Sequence, residues 1–114
     1  FLTWRDQLYR EGVRIPIIPG LISAQSSSQI QKFAQMCGCV VPSKLVKKLE
    51  RFTGNAGDSL RVGLDHAEKQ LEGLISEGVK GVHLYALNRV EVVNDLGPRM
   101  VSLKSKTDQI YNEF

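Results

Sequence analysis

The sequence predicts an α/β protein in which two parallel strands belong to an incomplete sheet. Two short apolar runs have the composition of strands, and the long segment between them has helical periodicity over most of its length. Such a connection between neighbouring strands is a crossover, which makes the strands parallel. Because two strands are not a stable sheet by themselves, further strands are expected from preceding residues or from a partner chain.

The first helix is predicted over residues 1–11. Phe1, Trp4 and Leu8 recur at the spacing of one helix face, and Gly12 follows at the position where a C-terminal cap is common,. A strand is predicted next in the chain.

That first strand is predicted over Val13 to Ile18, a run rich in β-branched residues,. Pro16 weakens the prediction, because proline removes a hydrogen-bond donor from the strand. Pro19 and Gly20 are expected to end the strand, and a polar loop is expected over Leu21 to Ser28.

Three helices are predicted between the strands. The first begins near Ser28, which forms a capping-box pattern with Gln31,. The second runs from Pro42 to about Phe52, and its basic side is typical of a solvated helix face rather than a phosphate-binding patch. The third and clearest covers Asp58 to Ser76, where one face carries Leu60, Leu64, Ala67, Leu71, Leu74 and Ile75,.

The second strand is predicted over Lys80 to Leu87, where apolar residues alternate,. A last helix is predicted over Arg89 to Leu96. The chain then divides into an α/β segment, residues 1–96, and a charged tail or linker, residues 97–114.

Length and charge exclude several functional classes. The chain has 114 residues, 42% of them hydrophobic, and a formal net charge of +3. A complete eight-stranded βα barrel takes about 250 residues. The charge is too small to indicate nucleic acid, and no apolar run approaches the roughly 18 residues of a membrane span. We therefore expect neither nucleic acid nor a membrane as a partner.

Two residues after the first strand are candidates for ligand binding, because ligands of α/β folds bind beyond the carboxyl ends of the strands. Gln29 and Phe33 lie four residues apart, on one side of a helix near its start,. An amide that donates and accepts, beside a flat ring, suits a planar heterocycle. From spacing alone, the simpler interpretation is a core role for Phe33 and a solvated position for Gln29.

A period-two pattern continues along the second strand and past its end: His83, Tyr85, Leu87 and Arg89. These residues share a face if the extended backbone continues past Ala86. Tyr85 and Arg89 would then stand at the strand end, where an arginine can bind a carboxylate through two hydrogen bonds. The alternative interpretation makes His83 a core residue and Arg89 a surface residue at a helix start.

Other chemical motifs are absent from the sequence. It contains no glycine-rich phosphate loop, nucleophile elbow or paired metal-ligand pattern,. Cys37 and Cys39 are too close along the chain to suit disulfide geometry, so free, partly buried thiols in a reducing compartment are expected. His66 lies among charged residues within a helix, which predicts a solvent-facing side chain.

Two blocks of the sequence carry a resemblance to a known family. The first is Ile17 to Leu21 (IIPGL) followed by Gln29 to Met36 (QIQKFAQM), Cys37-Gly38 and Pro42. The second is Gly78 to Arg89 (GVKGVHLYALNR), which contains His-x-Tyr-x-Leu-Asn-Arg. Over about residues 1–94, the chain resembles the methylenetetrahydrofolate reductase family.

The resemblance implies part of a (βα)8 TIM barrel, with strands 7 and 8 and their helices. Members of that family bind FAD, reduce it with NADH or NADPH, and pass a hydride to 5,10-methylenetetrahydrofolate, which gives 5-methyltetrahydrofolate. It also implies a cytoplasmic enzyme of one-carbon metabolism and methionine biosynthesis, and we expect a homo-oligomer.

The resemblance also implies roles for single residues. Gln29 would contact the pterin or the nicotinamide, and Phe33 would stack on whichever is bound. Tyr85 and Arg89 would line the folate site. The catalytic glutamate and nearly all flavin contacts of the family belong to earlier strands, so this segment is expected to be inactive alone.

An alternative hypothesis is a non-catalytic interaction or regulatory module derived from a half-barrel. It is supported by the serine-rich loop Ser23 to Ser28, which lacks the proline and the bulky residue that many family members carry there. The tail after residue 96, which matches no pattern, is its other support.

Overall fold

A computed structural model describes residues 1–112 of the chain, with side chains described through residue 102. Its elements in chain order are α1 (Leu2–Arg10), β1 (Gly20–Ile22), α2 (Ser27–Cys37), α3 (Ser43–Glu50), α4 (Ala56–Ser76), β2 (His83–Tyr85) and α5 (Val90–Asn112). The fold is therefore a helix-rich α/β arrangement, as predicted. No helix among the described residues is both long and apolar enough to span a bilayer.

The strands β1 and β2 pair in parallel, which confirms the predicted crossover. The register pairs are Gly20 with His83, Leu21 with Leu84, and Ile22 with Tyr85. The ladder is extended by the His83 N–H, which donates to the Pro19 carbonyl oxygen at 2.9 Å. Within the described residues the sheet has only these two strands, so its outer edges are not paired there.

The predicted first strand over Val13 to Ile18 is wrong, because these residues form no strand and β1 begins at Gly20. Pro16 and Pro19 have no N–H group, so this segment cannot donate a regular ladder of hydrogen bonds. Ile18 is 48% exposed. The two prolines therefore outweigh the β-branched composition, and the strand forms only after them.

The second strand is shorter than the predicted Lys80 to Leu87, since only His83–Tyr85 is paired. The predicted alternation is confirmed: Val82, Leu84 and Ala86 pack against the core, whereas His83 and Tyr85 are exposed. The strand β2 is this short because its pairing partner, β1, has only three residues.

Helix boundaries differ from the predictions at two points. Ser26 caps α2 by accepting a hydrogen bond from the Gln29 N–H at 3.1 Å, so the predicted capping box at Ser28 lies two residues too late. Helix α5 is longer than the predicted Arg89 to Leu96 and continues through Pro98. The division into 1–96 and 97–114 stays a prediction, and residues 113 and 114 lie outside the described residues.

The core lies on both sides of α4. One cluster joins β1, α4 and α5 through Leu21, Leu64, Ala67, Leu71, Val92 and Leu96. A second joins the loop after β1 to α3 through Ala24, Leu45 and Leu49, with partly buried Val62 of α4 against it. The apolar face predicted for the long helix is therefore its buried face.

Helix α4 rests directly on the backbone that follows β1. A Cβ atom at Gly63 would overlap the carbonyl oxygen of Ala24. Only glycine allows the helix axis to come this close to that segment. The contact fixes the loop that leads from β1 into α2.

The Arg5 side chain connects helix α1 to the C-terminal end of α4. Arg5 is 8% exposed, and its Nη1 donates to the Glu77 carbonyl oxygen at 2.7 Å. A cation there also complements the negative end of the α4 dipole. Gly12 follows α1 with a φ of +94°, consistent with the predicted cap position.

An ion cluster joins α4 to α5. Arg61 donates to Asp65 at 2.9 Å, to Glu68 at 2.7 Å and to Asp95 at 3.2 Å. Arg99 also lies 3.0 Å from Glu68. Burial raises the pKa of Glu68. Burial acts in the same direction on Asp95, but hydrogen bonds with Glu68 and Arg61 outweigh it and lower the pKa of Asp95. The cluster helps to set the direction of α5.

Two predictions about exposure need correction. Cys37 and Cys39 are free thiols as predicted, but both are exposed rather than partly buried, because α2 ends at the surface. His66 is half-buried rather than solvent-facing. Burial, with the positive charges of Lys69 and Lys48, lowers the pKa of His66.

The His66 environment predicts a stability loss in mild acid. A lowered folded-state pKa means that the unfolded chain binds the proton more readily than the folded one. The contribution of His66 to folding stability is therefore greatest above about pH 6.5, the pKa of an unfolded histidine, and falls as the pH drops below it. We expect the unfolding temperature to drop between pH 7.5 and 5.5, and to drop less in His66→Gln. An identical drop in both proteins would show that His66 carries none of the effect.

Candidate functional site

The candidate site lies beyond the carboxyl ends of the strands. Because β1 and β2 are parallel and Ile22 is opposite Tyr85, the segments that follow the two strands leave the sheet at the same end. The segment after β1 enters α2, whose first turn contains Gln29. The segment after β2 leads to Arg89 at the start of α5. The topology thus puts the start of α2 and the turn before α5 after the same ends of the two strands, but among the described helices and strands α2 packs against α3 and contacts neither β2 nor α5.

Gln29 is half-buried and takes part in the turn before α2. Its Oε1 accepts a hydrogen bond from the Gln25 N–H at 2.9 Å, while its own N–H donates to Ser26 Oγ. These two bonds fix the side chain close to the helix start. The amide NH₂ group is the part that remains to donate to a ligand.

Phe33 lies one turn further along α2. It is half-buried and belongs to neither core cluster. Ile30, by contrast, packs against the second cluster. The ring of Phe33 is therefore a partly open apolar surface on the helix that carries Gln29.

Tyr85 is 48% exposed on the face of the sheet opposite the core. Its ring is stacked on His83, with 4.4 Å between the ring centroids and 8° between the planes. The alternative interpretation of His83 as a buried core residue is therefore wrong. The His83 ring therefore covers one face of the Tyr85 ring on the open face of β2.

Arg89 is reached through a sharp change of direction. Leu87 and Asn88 both adopt left-handed conformations, with φ of +52° and +59°. The extended backbone therefore ends at Ala86, and the condition under which Arg89 would share a face with Tyr85 is not met. Consecutive non-glycine residues in this region are unfavourable, and such conformations cluster at functional sites.

The Arg89 side chain is half-buried at the end of this turn. Its Nε is fully buried and makes no hydrogen bond within the described part of the chain. A buried donor without a partner costs free energy, so the position is suited to an acceptor that the described residues do not supply. The interpretation of Arg89 as an ordinary surface residue does not explain this feature.

Ser23 in the loop after β1 has a similar unpaired group. It is 2% exposed, and its Oγ makes no hydrogen bond within the described residues. Ser23 is the first residue after β1, and it is buried between two core residues of the chain, Leu21 and Ala24, so its side chain lies among the core. The buried hydroxyl therefore weakens packing instead of contributing to the site.

Substitution of Ser23 tests this interpretation. Ser23→Ala is expected to stabilise the protein by about 1 kcal/mol, because it removes a buried group that lacks a partner. Ser26→Ala is the matched control and should destabilise by about 1 kcal/mol through loss of the α2 cap. Urea denaturation measures both changes. Equal destabilisation by the two variants would mean that the Ser23 hydroxyl is bonded in solution.

One groove was not predicted from the sequence. A depression of about 530 Å³ lies between the serine-rich start of α2 and the loop that connects α3 to α4. Its lining includes Ser26, Gln31, Thr53 and Ser59, and none of the four predicted site residues. Its polar walls are the capping residues of α2 and the turn before α4, and the sequence gives no signal that these two segments lie side by side.

An α/β unit with aromatic and polar residues beyond the carboxyl ends of its parallel strands has the layout of a ligand-binding α/β enzyme. The family model of methylenetetrahydrofolate reductase matches residues 1–99. The chain therefore belongs to the methylenetetrahydrofolate reductase family, as its two sequence blocks predicted.

Individual relatives agree with this assignment. The 5,10-methylenetetrahydrofolate reductase of Salmonella typhimurium is 34% identical over 92 residues, which are 81% of this chain and 31% of that protein. The protein of the same name from Escherichia coli is 32% identical over the same coverage. Methylenetetrahydrofolate reductase (NADH) 1 of Arabidopsis thaliana is 25% identical over 77% of this chain and 15% of its own length. The chain thus spans about 31% of the bacterial relatives.

Proposed function

We propose that this chain is the C-terminal segment of the catalytic barrel of a flavin-dependent oxidoreductase. The whole enzyme reduces 5,10-methylenetetrahydrofolate to 5-methyltetrahydrofolate, with NADH or NADPH as the electron donor. The observation that carries the proposal is the family match over residues 1–99. The position of the predicted residues at or after the carboxyl ends of the two parallel strands supports it.

The open sheet supports the barrel part of the proposal. In a (βα)8 barrel, β1 and β2 would be strands 7 and 8, and each outer edge would pair with a further strand. Ile15 and Ile18 before β1 are exposed, as are Val90 and Val93 after β2. Exposed apolar residues next to unpaired edges are expected where additional strands and helices of the same protein pack.

The site residues have separable roles in this proposal. The Gln29 NH₂ group donates to the edge of the pterin or nicotinamide, and Phe33 stacks on the ring. Tyr85 forms part of the folate-binding wall. Arg89 binds the anionic part of the folate, since a guanidinium matches a carboxylate with two hydrogen bonds.

FAD supplies the hydride transfer in this proposal, and most of its contacts would lie in strands that precede residue 1. The sequence contains neither the GxGxxG turn nor the GxxxxGK(S/T) loop that could hold its pyrophosphate,. This chain is therefore expected to line the substrate side and to be inactive alone. A cytoplasmic homo-oligomer belongs to the same proposal.

A visible absorption spectrum of the protein expressed from the complete reading frame tests the function. A bound-flavin spectrum that is bleached by NADH or NADPH and restored by methylenetetrahydrofolate is the expected result. A folded, colourless protein that does not take up added FAD would contradict the proposal. A non-catalytic interaction module would then be the better account.

Phe33→Ala tests whether one ring serves both substrates. We expect both half-reactions, flavin reduction by the nicotinamide and flavin oxidation by the folate, to slow by about 10-fold, the scale of a lost stacking contact. Stopped-flow absorbance measures each half-reaction separately. Unchanged rates per folded molecule, together with reduced stability, would make Phe33 a packing residue.

A further inference from the structure

The His83–Tyr85 stack depends on an empty position in the neighbouring strand. Tyr85 is opposite Ile22 in the register, yet its ring leans back over Gly20, which is opposite His83. An ideal Cβ built at Gly20 would lie 2.5 Å from Tyr85 Cε2. The ring thus fills the space where any other residue would place a side chain.

The imidazole covers one face of the ring. With planes 8° apart and centroids at 4.4 Å, His83 restricts rotation of the Tyr85 ring away from the sheet,. The described residues show no other ring stacked on Tyr85. His83 on one side and the backbone at Gly20 below therefore determine where this half-exposed ring lies.

We propose that His83 is a positioning residue for folate binding, which acts by stacking on Tyr85 over the gap at Gly20. This inference rests on the proposed function, because Tyr85 is assigned to the folate wall there. His83 needs only a flat ring for this role. Neither its proton nor its charge takes part.

The test uses the enzyme expressed from the complete reading frame. His83→Ala removes the stacking ring, whereas His83→Phe keeps a flat ring and removes the imidazole nitrogens. Gly20→Ala disturbs the same stack from below without changing either ring. Each variant is assayed for the KM of methylenetetrahydrofolate and of the nicotinamide. The aromatic NMR resonances of Tyr85, assigned with Tyr85→Phe, report ring position independently of activity.

We expect His83→Ala and Gly20→Ala to raise the folate KM about 2- to 10-fold, the range for loss of an aromatic pair, with the nicotinamide KM unchanged. Both should shift the Tyr85 resonances, and His83→Phe should restore the folate KM and keep ring-current-shifted resonances. An unchanged folate KM in His83→Ala would overturn the proposal. Equal impairment in His83→Phe would overturn it too, since the imidazole nitrogens would then be what matters.

Failure of the proposed function gives a different result. A protein without flavin and without folate turnover defeats the function itself, and the NMR measurement still reports whether the stack exists. Tyr85 resonances that do not respond to His83→Ala in that protein would overturn the positioning role as well.

Discussion

Gly63→Ala is expected to destabilise the protein by about 2 kcal/mol, near the upper end of what overpacking costs once the gain in helix propensity is subtracted. The new Cβ would overlap the Ala24 carbonyl oxygen, which is backbone and cannot rotate away. Helix α4 would have to move off the loop after β1. Overpacking typically costs about 1–3 kcal/mol, and the gain in helix propensity of about 1 kcal/mol offsets only part of the cost of so close an overlap.

Gly73→Ala provides the matched control in the same helix. A Cβ there meets nothing within 4 Å, so the substitution should stabilise by about 0.5–1 kcal/mol,. Urea denaturation of the full-length protein measures both variants. If the two substitutions have the same effect, α4 is not held against the loop at Gly63.

The Gly63→Ala substitution should also affect the candidate site. Ala24 precedes the turn in which Gln25 and Gln29 are bonded, so a shift of α4 would alter the position of Gln29. We therefore expect the folded fraction of Gly63→Ala to bind substrate more weakly. The close packing at Gly63 therefore makes the position of Gln29 in the candidate site depend on the position of α4.

The helices were predictable from the sequence because each carries a local signal. The apolar spacing of α4 gives its buried face, and the basic side of α3 is exposed. The strand β1 was not predictable in the same way. Its position depends on pairing with β2, which is distant in the sequence, and on the prolines that prevent Val13 to Ile18 from donating a ladder,.

The candidate site residues also differ in whether local sequence signals could predict them. Gln29 and Phe33 were identified from local spacing on one helix, and their family resemblance assigned them a ligand. The direction of Arg89 could not be predicted, because it depends on left-handed backbone at Leu87 and Asn88. Asn88 is of a residue type enriched in this conformation, but Leu87 is not, so the sequence did not indicate two such residues in a row.

Under the proposed function, Arg89→Ala is expected to raise the KM of methylenetetrahydrofolate about 10- to 100-fold in the full-length protein and to leave the nicotinamide KM nearly unchanged. The reason is that hydrogen bonds to a charged group are worth about 1.5–3 kcal/mol, and the buried Nε has no partner among the described residues,. Steady-state kinetics with each substrate varied in turn measures the two constants.

Two further variants make the Arg89 result specific. Arg89→Lys keeps the charge without the planar fork, so its folate KM should fall between those of wild type and Arg89→Ala. Arg51→Ala removes an equal charge from an exposed position at the end of α3, away from the site, and should leave both KM values unchanged. Equal increases in both KM values for Arg89→Ala would contradict a folate-specific role. They would indicate instead that Arg89 supports the shared ring-binding surface, because a group that contacts only the folate cannot weaken nicotinamide binding to the same extent.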